Sequence, residues 1–346
     1  MPLSRRDFLN CSALSLGALA AQPYLPWLAP FPPLEPNQRE MRGRVARRYI
    51  TLHDQPDPRA KRLGKFERDT LLVLLEAVNS EAGPAENPHW YRVHAGFIHS
   101  AYIQRVDHAH LNSTLATISE AGQPGEVSVP YTQSYYFNRI GKWTPLYRLY
   151  YRSQHRIMSI WKDEQGQPWY RLADDWLKAE YYVQAETIRP LSPSEWLPIS
   201  PDVPDKQKRI DVSLGKQSLT AFEAGRPVFQ AEISTGKPYM LTPRGEFKVN
   251  RKYISRHMGF GALTDDPGAY ELVGVPWVSF FHTSGVAFHG TYWHDNFGVP
   301  MSHGCINMRV EDARWIFRWS NPAFSALIKE RKDWVKHGEG TLVRID

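Results

Sequence analysis

Cysteine is nearly missing from this chain: 346 residues hold two, Cys11 and Cys305. One of them falls in the first dozen residues, so a disulfide scaffold is excluded. No apolar run is long enough to be assigned as a membrane span; the one ending near Ala21 is too short. Charge of one sign does not dominate either. Forty-two Lys and Arg stand against 36 Asp and Glu, a formal +6 that is spread along the chain apart from one basic cluster, "REMRGRVARR". That balance gives no basis for a nucleic-acid partner; it fits a solvated face or, weakly, an anionic polymer or membrane surface as neighbour. Zinc-ligand spacing is also lacking. His282, His289, His294 and His303 crowd within twenty-two positions, but none forms an H-x-x-x-H pair on a helix-like segment. No metal and no cofactor is expected.

What is present at the start is a pattern of export. Arg5 and Arg6 are followed by Phe8 and Leu9, an apolar run, and Ala18 and Ala20 at A-x-A spacing, which together resemble a twin-arginine-type signal over residues 1–22. The expected location is therefore the periplasm or the extracytoplasmic cell wall, with membrane contact only through an uncleaved signal. Cys11 leaves with that segment, and Cys305 remains as the sole thiol of an exported protein. A lone thiol there is either a buried small hydrophobe or a reactive group.

A proline-rich linker is expected over 23–45, followed by β-like runs such as "RRYITLH" and "HWYRVHAGFIHSAYIQRV" between Gly, Pro and Asn turns. The layout returns in "QPWYRLADDWLKAEYYVQAETIRPL", a loose internal repeat. Both segments resemble bacterial SH3-like modules, with Trp90-Tyr91-Arg92-Val93 and Trp169-Tyr170-Arg171-Leu172 at the matching strand. The expected organisation is a module over 46–107, a linker over 108–130, a second module over 131–192, a linker over 193–207 and a final unit over 208–346. Such modules imply glycan or peptide contact, although their aromatics also build their cores.

The final unit opens with Ile210, Val212 and Leu214 alternating, a turn at Gly215-Lys216, and a return strand from Leu219 to Phe222. Near its end "VEDARWIFRWS" has acids in its first turn and Ala313, Ile316 and Phe317 on one face, which predicts a short helix. Between them lies "VAFHGTYWHDNFGVPMSHGCINMRV". A free thiol is only a few per cent ionised at neutral pH, so a catalytic cysteine needs a base or cation beside it and donors for the developing oxyanion. Gly304 lets the backbone turn so that the N–H groups of His303, Gly304 and Cys305 face one point, and the following helix adds its positive end. His289, sixteen residues upstream of Cys305 on a strand-like segment, fits the base, with the Gly290 carbonyl fixing its tautomer. His303 competes for that role and, as the neighbour of the nucleophile, is assigned to orienting the loop.

"FHG" followed by "SHGCINM", with "ISTGK" and "TPRGEFKV" upstream, resembles the L,D-transpeptidases with a YkuD-type catalytic domain, over about Lys208 to Asp346. The resemblance implies a mainly β fold: a β-sandwich-like catalytic domain with one short helix after the nucleophile, preceded by the two small SH3-like β-barrels. It implies Cys305 as nucleophile, His289 as base, Gly290 as its orienting carbonyl, and oxyanion donors from His303, Gly304 and Cys305. Ser302, Asn307 and Arg309 would line or brace the pocket, with Asn307 or Arg309 meeting a substrate carboxylate. Residues 252–282 are expected as a substrate-facing flap, with Tyr253, His257, Trp277 and Tyr292 as candidate walls.

The partners so implied are peptidoglycan stem peptides, a donor tetrapeptide and an acceptor amine. The implied activity is formation of 3→3 cross-links through a Cys305 acyl-enzyme with release of terminal D-alanine. Two alternatives stay open: an L,D-carboxypeptidase using the same residues, and an inert wall-binding protein in which the SH3-like units do the work.

Overall fold

The computed structural model describes residues 41–324 and 327–346. The expected signal and most of the expected first linker therefore lie outside the described residues. The fold is mainly β, and Val310–Trp319 is the one α-helix among the described residues. No helix among them is long and apolar enough to cross a membrane.

The three largest hydrophobic cores among the described residues follow one another along the chain. In the first, a three-stranded sheet (Leu71–Leu74, Met41–Val45, Ile103–Arg105) and a five-stranded sheet built on Tyr49–His53 enclose Val45, Ile50, Phe66, Leu74, Tyr91 and Ile98. The sequence places a linker as far as 45. Met41–Val45 is instead the central strand of the smaller sheet, because it supplies the backbone partners of both neighbours. The second core sits on one seven-stranded sheet. Here too an expected linker, 108–130, contains a strand: Gln123–Val127 pairs with Gln154–Lys162 on one side and Ile188–Pro190 on the other.

The last unit is a sandwich of two five-stranded sheets. One has the order Arg226–Glu232, Ser218–Glu223, Lys208–Ser213, Leu342–Ile345, Gly245–Lys248, and contains the expected hairpin with Ile210 opposite Ala221. The other has the order Ile306–Met308, Ala287–Gly290, Glu271–Phe280, Arg251–Gly259, Val335–His337. Their inner faces meet in a core of Ile210, Val212, Leu219, Phe288, Ile306, Met308 and Trp277, closed by Ile316 and Phe317 of the helix. The helix forms because Val310, Ala313, Ile316 and Phe317 recur at helical spacing while Glu311 and Asp312 sit at its positive end. Two buried lysines take up the carbonyls at its other end. Lys208 Nζ donates to Trp319 O at 3.0 Å and Lys252 Nζ to Ser320 O at 2.8 Å. Burial holds the Lys252 ammonium well below its ordinary pKa.

The second unit leans on the outer face of the Glu271–Phe280 sheet through Gln154–Lys162, and the junction is polar. His257 is clamped between Asp174, 2.5 Å from Nδ1, and Glu271, 2.7 Å from Nε2. Its backbone N–H donates to Asp175, which also pairs with Arg256. This packing leaves the other end of the same sheet face, over Ala287–Gly290 and Ile306–Met308, to the site.

Candidate functional site

Sheet register decides which side chains of "FHG" and "SHGCINM" meet. Ala287–Gly290 and Ile306–Met308 run parallel, with Phe288 opposite Ile306, His289 opposite Asn307 and Gly290 opposite Met308. Side chains alternate along a strand, and registered partners share a face. Phe288, Ile306 and Met308 fill the sandwich core, so His289 and Asn307 point the other way. Continuing the register one step back sets Cys305 opposite Ala287, on the outer face with His289 and one diagonal from it, roughly 7–8 Å at ordinary sheet spacing.

The electrostatics of this pair differ from what an isolated thiolate site predicts. Burial pushes the Cys305 thiol up to about 11, although the Ala287 N–H aimed at the sulfur pulls the other way. The sulfur's hydrogen faces Gly285 O at 3.8 Å. His289 is 2 % exposed, and burial drives it down to about 4. Its Nδ1–H donates to Gly290 O at 3.1 Å, which fixes the proton on Nδ1 and leaves Nε2 as the acceptor. At neutral pH the pair therefore rests as thiol and neutral imidazole.

The loop before Cys305 is held from below by "ISTGK" and "TPRGEFKV". Ser234 bridges to Asn307 and Gly236 to Ser302, and the Thr242 hydroxyl donates to Gly304 O at 2.8 Å while accepting from Gly236 N–H. Gly236 has to be glycine, since a Cβ there would lie 2.0 Å from Met240 O and 3.0 Å from Gly304 Cα. Gly304 has φ +119°, a conformation that β-carbon residues rarely adopt. Ser302 is buried, and its hydroxyl donates to Cys305 O at 2.5 Å while accepting from Gly304 N–H at 3.0 Å. That second bond corrects the expected oxyanion set: the Gly304 N–H is already committed, leaving those of His303 and Cys305. The expected contribution of the helix dipole also falls away. Val310 follows Cys305 by five residues with a strand between, roughly 15 Å of extended chain. Such dipole effects fade within a turn.

The other predicted residues divide. Asn307 is buried beside His289, with its side-chain amide 2.8 Å from His294 Nε2. Arg309 is exposed, pairs with Glu232 at 3.0 Å and lies over the Phe297 ring. His303 is exposed, and its Nδ1 meets the Tyr270 hydroxyl at 2.9 Å. All four wall assignments fail. Trp277 neighbours Val278, so it points into the sandwich core, 1 % exposed and packed on Phe317. Tyr253 stands two strands from His289, about 10 Å at ordinary strand spacing, and packs on Phe280. Tyr292 is buried at the junction of the units, donating to Val273 O at 2.9 Å and facing Tyr150. His257 is the junction clamp described above.

Of the expected flap, 260–270 and the last two residues, Phe281 and His282, lie outside strands, the rest being the paired strands Arg251–Gly259 and Glu271–Phe280. Glu271 accepts the N–H groups of Phe260, Gly261 and Ala262 and so organises that loop. Two site residues escape sequence reasoning. Trp293, not Tyr292, lies against His289, with ring centroids 5.6 Å apart. Tyr270 closes over His303, and burial, helped by the nearby Cys305 sulfur, raises its hydroxyl pKa. Neither carries a distinguishing signal in a chain with 13 % aromatic residues. His294, considered only as a metal ligand, instead braces Asn307 and accepts from Asn296 N–H at 3.1 Å.

Among known proteins, two curated relatives carry provisional L,D-transpeptidase names. YciB of Bacillus subtilis (strain 168) is 25 % identical over 130 residues, covering 34 % of this chain and 63 % of its own length. YkuD of Bacillus licheniformis is 32 % identical over 104 residues, covering 30 % of this chain and 54 % of its own. The chain thus spans between about half and two thirds of each. A solved L,D-transpeptidase from Mycobacterium smegmatis aligns with 23 % identity and a TM-score of 0.32, covering 40 % of this chain and 58 % of that one. Residues 207–345 match the YkuD family model, and over that stretch the chain carries an L,D-transpeptidase catalytic domain.

Proposed function

We propose that this protein is an exported peptidoglycan L,D-transpeptidase that forms 3→3 cross-links through a Cys305 acyl-enzyme. The observation that carries the reading is the parallel register that sets Cys305 and His289 on one sheet face, with His289 Nδ1–H tied to Gly290 O. In the proposed cycle Sγ attacks the carbonyl carbon of the L-centre of the diamino acid in a tetrapeptide stem. His289 Nε2 takes the thiol proton as the bond forms and passes it to the departing amine of D-alanine. The carbonyl oxygen, negative in the tetrahedral intermediate, faces the N–H groups of His303 and Cys305. A side-chain amine of a second stem then attacks the thioester, the C–S bond breaks, and the proton the amine gives up passes through His289 Nε2 to the departing Sγ. Asn307, neutral and buried beside the base, is the better placed of the two residues considered for a substrate carboxylate, because Arg309 is turned to Glu232. The N-terminal units, read as SH3-like modules, would hold glycan or peptide near the site.

Sacculi incubated with the purified protein test this reading. New 3→3 dimers are expected. New tripeptides alone would assign carboxypeptidation, and no change in muropeptides from a protein with a reactive Cys305 would leave the wall-binding alternative.

A further inference from the structure

The seam between the second unit and the catalytic sandwich holds a cleft of about 510 Å³, lined among others by Arg156, Met158, Lys178, Tyr253, Arg256 and Trp334. It opens on the same sheet face as His289, two strands away, and so lies apart from Cys305. Its charges are unevenly committed. Asp174 is engaged by His257 and by the N–H groups of Trp176 and Leu177, Asp175 by Arg256, and Glu180 by Arg171 at 3.1 Å. Lys178 donates to Asp175 O at 2.6 Å. Arg156 is different. Its guanidinium lies 4.7 Å over the Trp334 ring, its Nε is buried without a hydrogen-bond partner, and no carboxylate among the described residues pairs with it. Burial costs this cation enough to lower its pKa. An unpaired guanidinium held on an aromatic plate is the arrangement that takes a planar anion through two parallel N–H bonds.

The geometry points to this cleft as a second binding site, for a free carboxylate of a stem peptide. The peptide assignment rests on the proposed function; the anion assignment does not. A volume of that size fits several residues rather than one ion. Met158 and the exposed edge of Tyr253 offer apolar wall to alanyl and aliphatic parts, while Trp334, 1 % exposed, is the plate under Arg156. Three carboxylates on the same walls would repel a polyanion. Lys178 is spent on a backbone carbonyl and Lys332 on Glu330, so among the described lining cations Arg156 alone has no acceptor, and its fork offers one bidentate contact of the size of a single carboxylate. A phosphodiester polymer therefore fits less well than a carboxylate.

The test uses the full chain carrying Cys305→Ala, to stop turnover, with a photoreactive tetrapeptide stem bearing a free C-terminal carboxylate. Mass spectrometry should find label in two places, the peptide with Trp334 and the peptide with His289. Adding Arg156→Gln should cut cleft labelling by about tenfold to a hundredfold, the range for losing a charge-assisted hydrogen bond, and leave the other label in place. Arg156→Lys should recover part of it. Folding of the Arg156→Gln chain is checked by its melting temperature and by carbapenem uptake in the Cys305 background.

The inference is overturned by label confined to the His289 region, by equal labelling from the C-terminal amide, or by displacement with glycerol phosphate oligomers at lower concentration than the tetrapeptide. Carbapenem uptake with an unlabelled cleft sinks the cleft alone. A labelled cleft in a folded protein that neither takes up carbapenem nor alters stems sinks the proposed activity alone.

Discussion

If Cys305 rests as a thiol near pKa 11, its reactivity toward two kinds of electrophile should separate with pH. Iodoacetamide reacts with the thiolate and takes no proton from the enzyme. At pH 7 a thiol with a pKa of about 11 is ionised to about one part in 10⁴, against a few per cent for an exposed thiol near 8.5. Alkylation should therefore be several-hundredfold slower than that of an exposed cysteine peptide. It should climb close to tenfold per pH unit, without a plateau below pH 10. Acylation by a carbapenem is different in the proposed cycle, where Nε2 of His289 removes the proton as the bond forms, and an imidazole with a pKa of about 4 is a neutral acceptor throughout. That rate should be nearly flat from pH 6 to 9. His289→Ala should lower acylation by about two to four orders, the usual share of acid–base groups, and barely change alkylation. Both rates are read by mass spectrometry of the peptide containing "SHGCINM". A wild-type alkylation plateau below pH 8 that disappears in His289→Ala would refute the reasoning, since it would show a resting thiolate–imidazolium pair.

Trp277→Ala should destabilise by about 3–5 kcal/mol, as truncation of a fully buried Trp does; a melting temperature close to wild type with lost activity would return Trp277 to the substrate wall. Tyr270→Phe removes the hydroxyl that meets His303 and should slow acylation roughly threefold to tenfold, with unchanged melting temperature. The His257 junction should make thermal stability depend on pH. Burial lowers the pKa of His257, but the bonds and charges of Asp174 and Glu271 outweigh it and hold it raised, so its contribution is complete below the unfolded value near 6.5 and lost as pH rises through the folded one. Asp174 and Glu271 are held low despite burial, mainly by His257 and by backbone N–H bonds, so theirs is present above about 4 and lost in acid. A melting-temperature maximum between about pH 4.5 and 6.5 is expected, with the alkaline limb flattened in His257→Gln. Exhaustive chelation should leave turnover intact, and loss on EDTA treatment with recovery on adding zinc would contradict the thiol mechanism.

Local pattern was enough for much of this protein. The alternation of Ile210, Val212 and Leu214, the helical spacing of Val310, Ala313, Ile316 and Phe317, and the glycine before Cys305 each depend on a few consecutive residues, and the structure places each of them accordingly. The residues meeting at "FHG" and "SHGC" were legible because they lie within twenty positions and their chemistry is unusual in a chain with one thiol after its first dozen residues. Tertiary structure decided what depends on register and burial. Trp277 and Val278 differ by one position and face opposite sides of a sheet, which no residue preference announces. Arg309 was drawn off by Glu232, 77 positions away, and Trp293 rather than Tyr292 reached His289. The ionisation of Cys305 and His289 likewise belongs to the fold, because the cost of charging a group is set by everything packed around it, and those neighbours come from distant parts of the chain.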